Sequence, residues 1–389
     1  MAHYYNDPAG GTPSTIGAQM RDFYYARDAI TEVAKEQYFT QLASTTDMPK
    51  HYGQRIKRYI YVPLLDDRNK NDQGIDATGV AIVDGNLYGS SKDVGKITSR
   101  MPVLSETGGR VNRVGFTRKT LEGTFQQFGY FMEYSEDSLN FDTDDQLMSH
   151  LTREMLKGAN QMSEALIQAD LLGNAGVVKY AGAATQASEI DKTSLVDFQD
   201  LVNLVTDLDN NLTPKDTKIN TGTVKIDTRT IPAARLMYIG SEMKNTLRKL
   251  TDFFKNPAFI PVQHYAAGTT PLRGEIGSID EFRIIVVPEM MKWEGAGAAA
   301  APTDGVHVTG GKVDVFPMLV VGSESFTTIG FQSDAKSVKF KTIHKKPGPD
   351  MATPADPYGK MGFMSIQWWY GFMVIRPERI ALIKSAALV

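Results

Sequence analysis

The sequence predicts an α+β protein, on three observations. Leu147, Leu151, Met155, Ala159, Met162, Leu166 and Ala169 form an unbroken apolar stripe at helical spacing. β-Branched and aromatic runs flank it, at Gly53–Pro63 and Thr124–Tyr134 before it and at Met361–Ile375 after it. Between helix and tail, short strand and helix patterns alternate as in an inserted α/β domain. The 389 residues suffice for two or three domains at about 150 residues each.

Taken in order, residues 1–20 are rich in Gly, Pro, Ser and Thr and read as an arm that needs a surface to lie on. Asp22 to Leu42 has Phe23, Ala26, Ile30, Val33, Ala34, Tyr38 and Leu42 at helical steps, which predicts an amphipathic helix. A strand is expected at Gly53–Pro63. From Leu64 to Arg110 the chain carries seven glycines and six aspartates and no helical period. Compact domains seldom hold a structureless connection beyond about 12–15 residues, so this excursion is expected to find its partner elsewhere. Strand-like returns at Val111–Lys119 and Thr124–Tyr134 would let its two ends pair as a long hairpin.

Thr143 and Gln146 have the spacing of a capping box, so the main helix is expected over 143–173, about 40 Å long, with Gly173-Asn174 as its cap. Gly158 is its internal weak point, costing about 1 kcal/mol against Ala and permitting a bend. Residues 175–190 are small and read as a domain boundary. A helix is expected at Leu195–Leu208, introduced by Thr193 or Ser194, then a strand at Arg235–Ile239 and a helix at Ser241–Leu250. Phe282–Val287 reads as a strand buried on both faces and ended by Pro288. A low-complexity loop at Glu294–Asp304, strands at Val313–Val321 and Ser337–His344, and an aromatic tail at Met361–Ile375 and Arg379–Lys384 complete the chain. A tail holding Trp368, Trp369, Tyr370 and Phe372 must return to a core.

Several functions are excluded. Without cysteine there is no disulfide, thiolate nucleophile or Cys-ligated metal. A formal charge of −3 supplies no global field toward nucleic acid or an anionic membrane. The start, Met-Ala-His-Tyr-Tyr-Asn-Asp-Pro, has no basic-then-apolar signal, and no run approaches the roughly 18 apolar residues of a spanning helix. The six histidines show no paired ligand spacing, and Asp67–Thr78 lacks both the Gly and the Glu of a calcium loop. No phosphate-binding glycine motif occurs, and Val321-Gly-Ser323-Glu-Ser325 lacks the second glycine of a nucleophile elbow. No cofactor, metal or catalytic residue is expected.

Charge segregation stands out instead. Lys92, Lys96, Arg100, Arg110, Arg113, Arg118 and Lys119, against Asp93 and Glu106, give residues 92–119 a net of +5. Residues 133–145 carry Glu133, Glu136, Asp137, Asp142, Asp144 and Asp145 with no base. Asp144 and Asp145 suit the first turn of a helix, where negative charge is stabilised by the dipole. The two stretches together are complementary surfaces for neighbouring copies. A nucleic-acid role for the basic stretch lacks aromatics between its charges.

This order of parts resembles the major capsid proteins of tailed bacteriophages, of the Hong Kong 97-type fold, and more closely their N4-like podovirus branch. The resembling blocks are Gln127-Phe-Gly-Tyr-Phe-Met-Glu-Tyr-Ser-Glu-Asp137, Gly274-Glu-Ile-Gly-Ser-Ile-Asp-Glu-Phe-Arg-Ile-Ile-Val-Val-Pro-Glu289, Asp356-Pro-Tyr-Gly-Lys-Met-Gly-Phe363 and Trp368-Trp-Tyr-Gly371. The resemblance implies an N-terminal arm and helix over 1–45, an extended hairpin loop over 46–126, a peripheral domain over 127–189 with its spine helix at 143–173, an axial domain over 190–350, and C-terminal strands over 351–389 returning to the peripheral domain. It also implies a structural subunit of an icosahedral head enclosing double-stranded DNA, assembled from hexamers and pentamers in a bacterial cytoplasm. Partners would be a separate scaffolding protein, a portal and a decoration protein, with non-specific contact to packaged DNA and none to membrane. The loop would reach over an adjacent copy, with Lys92, Lys96, Arg100, Arg110, Arg113, Arg118 and Lys119 reaching and Glu133, Glu136 and Asp137 as landing surface. The alternatives are a shell protein of a cargo-holding nanocompartment with the same fold and, from another class, a soluble α/β enzyme with a site assembled from distant residues.

Overall fold

The computed structural model describes residues 2–5, 14–18, 38–39, 42, 44–48, 55–64, 94, 114–141, 147–220, 228–265, 272, 274–331, 340–354 and 356–389. The expected helix from Asp22, apart from Tyr38, Phe39 and Leu42, lies outside the described residues, as do the excursion 65–113 apart from Val94 and the capping box 143–146. Tyr38 and Phe39, expected on the last turns of that helix, lie in a bend. Both of their backbone N–H groups donate to Glu164 Oε1 at 2.6 Å, and the Phe39 ring meets Tyr238 at 5.0 Å.

Strands β1 (Ala2–Tyr5) and β2 (Ser14–Ala18) pair with each other. Next come β3 (Ser44–Met48), β4 (Arg55–Tyr61) and the long β5 (Arg118–Ser135), followed by helices α1 (Glu136–Phe141) and α2 (Leu147–Gly173). The two expected returns at 111–119 and 124–134 are thus one strand from Arg118. Gly123 lies inside it, where a Cβ would stand 2.5 Å from Ile329 Cδ1. The bare backbone is what lets Ile329 pack close. β4 and β5 pair antiparallel from Arg55↔Thr124 to Tyr61↔Arg118, so the ends of the excursion do meet as a ribbon.

Residues 175–190, expected as a boundary, contribute β6 (Val177–Tyr180), which pairs parallel with the C-terminal strand. Helix α3 (Phe198–Asn210) begins three residues later than expected. Thr193 and Ser194 are engaged elsewhere: their N–H and hydroxyl groups donate to Asp191 Oδ1 at 2.7–3.0 Å. Asp197 caps the helix instead, reciprocally with Asp200. The chain continues through β7 (Asp216–Asn220), β8 (Thr228–Ile239), the short α4 (Lys244–Arg248), β9 (Ile260–Pro261), β10 (Glu275–Ile279) and β11 (Phe282–Val286). It ends with β12 (Val308–Thr309), β13 (Lys312–Val313), β14 (Phe316–Val321), β15 (Phe326–Phe331), β16 (Lys341–Lys345), β17 (Met361–Val374) and β18 (Ile380–Ser385).

Two compact units emerge: residues 1–36, 129–161 and 340–367, and residues 37–128, 162–339 and 368–389. In the second, eight strands form the mixed sheet β6-β18-β14-β8-β11-β10-β9 with β7 beside β8, and β11, β14 and β18 are buried on both faces. Met237, Ile239, Ile284, Met318, Val320 and Ile383 face Leu201, Leu204 and Leu208 of α3. The alternate residues Leu236, Tyr238, Ile285, Leu319 and Leu382 face Ile167 and Leu171 of α2. Helices on both sides explain why β11, β14 and β18 read as continuous apolar runs. β18, expected with the spine helix in a peripheral domain, runs between β6 and β14 in this sheet. Within the first unit, Tyr130 donates to the Met155 carbonyl at 2.5 Å, and Tyr134 meets the His344 ring.

Candidate intersubunit surface

The alternation of Arg55, Lys57, Tyr59 and Tyr61 places these four side chains on one face of the β4/β5 ribbon. Their cross-strand partners are Thr124, Glu122, Thr120 and Arg118. The opposite face, with Ile56 and Leu121, packs on Phe125, Ile329 and Met373. The first face is left to solvent: Tyr59 and Tyr61 are exposed, as are Phe116 and Leu64 beyond the ribbon. The Arg118 guanidinium lies 4.3 Å from the Tyr59 ring centre, and the Tyr61 and Phe116 rings are 6.5 Å apart. Lys57 pairs with Glu122 at 2.7 Å, and this hydrogen-bonded ammonium holds the Glu122 carboxyl below the usual range. The ribbon therefore presents a basic, aromatic face that nothing in its own unit covers among the described residues.

Of the basic residues expected on the reaching surface, Arg118 and Lys119 are described, and both are exposed on β5. Lys92, Lys96, Arg100, Arg110 and Arg113 lie outside the described residues. On the acidic side Glu133, Glu136 and Asp137 are all exposed. Glu133 stands near the end of β5, next to exposed Phe131 two residues before it. Glu136 and Asp137 open α1, where Ser135 accepts from the Ser138 N–H and negative charge is favoured by the helix dipole. These two acids thus have a local structural use beside any intermolecular one. Tyr59, Tyr61 and Phe116 were missed as surface residues, although the alternation Arg55–Tyr61 carried the signal. Tyr59 and Tyr61 add two rings to the one, Phe116, that residues 92–119 hold.

Nothing described resembles a reaction centre. Among the described residues no group of three or more His, Asp or Glu could hold a metal ion, and no helix is long and apolar enough to cross a membrane. The raised phenols of Tyr130, Tyr134, Tyr265 and Tyr370 follow first from burial, and Tyr370 is further raised by its 2.6 Å hydrogen bond to Asp170.

The fold is shared with phage capsids of solved structure. The capsid of Ralstonia phage GP4 superposes with a TM-score of 0.56 at 11% identity, covering 98% of this chain and 99% of that one. The capsid of cyanophage Pam1 gives 0.53 at 12% identity over 95% and 97%. These define the fold class. In sequence, the major capsid protein of Pseudomonas phage KPP21 is 59% identical over 384 residues, 98% of this chain and 97% of that protein. The family model for phage capsid proteins matches residues 118–384. The chain belongs to the phage capsid protein family: it is a phage major capsid protein, a structural component of the virion capsid and not an enzyme. Its copies assemble with one another into a shell lattice. The enzyme and nanocompartment alternatives are thereby set aside.

Proposed function

We propose that many copies of this chain close into an icosahedral head of hexamers and pentamers around packaged double-stranded DNA. Assembly takes place in the bacterial cytoplasm with a separate scaffolding protein and a portal, and a decoration protein is an optional later addition. The divisions 1–45, 46–126, 127–189, 190–350 and 351–389 then serve as arm, extended loop, peripheral domain, axial domain and C-terminal strands. Placement in the N4-like branch rests on the resembling residue blocks alone.

One observation carries the contact assignment: the ribbon leaves a basic, aromatic face to solvent beside Arg118, while Glu133, Glu136 and Asp137 expose an acidic surface of opposite sign. Isolated exposed pairs are worth little, about 0–1 kcal/mol each. Repeated around a closed lattice, however, they set register and reject wrong encounters. Each copy would lay its loop, including Lys92, Lys96, Arg100, Arg110, Arg113, Arg118 and Lys119, on the acidic surface of a neighbour. The triple variant Arg110→Glu, Arg113→Glu, Arg118→Glu should remain folded by circular dichroism yet lose particle formation. Adding Glu133→Lys, Glu136→Lys and Asp137→Lys should restore part of it. Normal particles from the triple variant alone would refute the docking.

A further inference from the structure

In the larger unit, the turn after α4 holds an aromatic ring out into water on a rigid mount. Thr251 and Pro257 are bridged across it. Asp252 Oδ1 accepts from the Phe254 and Asn256 N–H groups at 2.8 Å each, and the Asp252 N–H donates to the Asn256 carbonyl at 2.8 Å. Lys255 takes φ of 64°, a strained choice for a lysine that the turn imposes. On this mount Phe254 is 85% exposed. Its neighbour Phe253 leans edge-on against Phe198 of α3 at 5.0 Å, which fixes the turn to the domain. A large apolar side chain held in solvent by so many hydrogen bonds is an anchor awaiting a pocket.

A pocket of suitable character opens at the base of the same hairpin. A groove of about 650 Å³ is lined by Phe259, Pro261, Val262 and Ile276, with Arg248 and Gln263 also lining it. Its Glu275 side chain is fully buried and already engaged by Arg283 at 2.7 Å and by the Tyr265 hydroxyl at 2.9 Å. Gly277 seats the Phe259 ring from behind: a Cβ on it would stand 2.5 Å from Phe259 Cζ, which the bare backbone avoids. Phe254 does not line the groove of its own chain.

We infer that Phe254 of one copy inserts into the Phe259–Ile276 groove of the next copy around a rotation axis. The occupant is a second copy because copies of this chain assemble with one another into a shell, and this chain carries both the projecting ring and a hole that its own ring does not fill. Knob and hole are different patches, so the contact is heterologous, and repeated rotation closes it into a ring. The inference rests on the shell reading above, but it involves residues apart from the ribbon and its acidic counterpart.

The natural absence of cysteine makes the test clean. Lys255→Cys beside the knob and Gln263→Cys at the groove leave Phe254 and the apolar wall intact. Assembled particles of the double variant, treated with a short thiol-to-thiol crosslinker, should give a ladder of covalent multimers on a denaturing gel, while each single variant gives none. Particles that form normally but yield no ladder overturn the knob assignment and leave the shell reading standing. An unaltered chain that forms no particles under any assembly condition sinks both. As a second arm, Phe254→Ala should leave the thermal midpoint unchanged, since the ring is exposed, and raise the protein concentration needed for assembly at least about tenfold. An unchanged assembly threshold overturns the inference.

Discussion

At Gly158 helix propensity and packing pull in opposite directions. An alanine would ordinarily strengthen a helix interior by about 1 kcal/mol. Here the added Cβ would stand 2.7 Å from Tyr130 Oη, the hydroxyl that donates to the Met155 carbonyl. Gly158→Ala should therefore destabilise, by about 1–3 kcal/mol as an overpacked contact. In a Tyr130→Phe background the nearest ring atom is the carbon at 3.6 Å, and the same change should stabilise instead. Thermal denaturation of the four proteins in the cycle decides it, and a stabilising Gly158→Ala in the unaltered background contradicts the packing argument. The sequence showed the glycine but not the ring opposite it, 28 residues earlier on β5, so its meaning was not readable from helical propensity.

Tyr370 supplies the pH dependence at this scale. Burial, then the Asp170 carboxylate that accepts its hydrogen bond, pushes its phenol far above the ordinary value. Unfolded tyrosine loses its proton near pH 10. Above that pH the unfolded chain holds fewer protons than the native one, so unfolding becomes easier as pH rises. Below it the contribution is fully present and constant. Tyr370→Phe should flatten the fall in stability between about pH 9 and 11 measured by urea denaturation. An identical slope in both proteins would show that the Tyr370–Asp170 bond is not the source.

At the scale of elements, what the sequence revealed depended on whether burial was two-sided and local. Phe282–Val286 is buried at every position, and its unbroken apolar run announced this. The long helix stripe is equally plain in α2, where Met155, Ala159, Ile167 and Leu171 are buried. The start of α3 was hidden because Thr193 and Ser194 are good caps in isolation, and only their capture by Asp191 shifts the cap to Asp197. Asp197→Ala should accordingly cost about 1 kcal/mol in denaturant titration, against the few tenths expected of an uncapping-neutral site. The place of β18 was hidden as well: an apolar tail tells that it is buried but not beside which strand. In the candidate site the basic and acidic residues were legible as charge runs, while the exposure of Tyr59, Tyr61 and Phe116 depends on which face of the ribbon meets the Phe125–Ile329–Met373 cluster.

For the whole molecule, stability and assembly draw on different surfaces. The eight-stranded sheet, covered by α2 on one face and α3 on the other, holds the larger unit together without help from a partner. The ribbon face and the Phe254 turn add little to that core and expose large aromatic groups. Such a division suits a subunit that folds first and then buries its exposed anchors against siblings. It also explains why a chain of near-neutral net charge can still be selective in association, since its charge is segregated along the sequence although it nearly cancels overall.

The most direct measurement is an electron cryo-microscopy reconstruction of particles assembled from the purified chain, traced through residues 55–61 and 118–137. The account predicts that the Arg55–Tyr61 face leaves its own subunit and meets another, with Arg118 within ion-pair distance of a neighbour's Glu133, Glu136 or Asp137. A ribbon lying wholly against its own chain, with those acids facing open solvent in the finished shell, would contradict it.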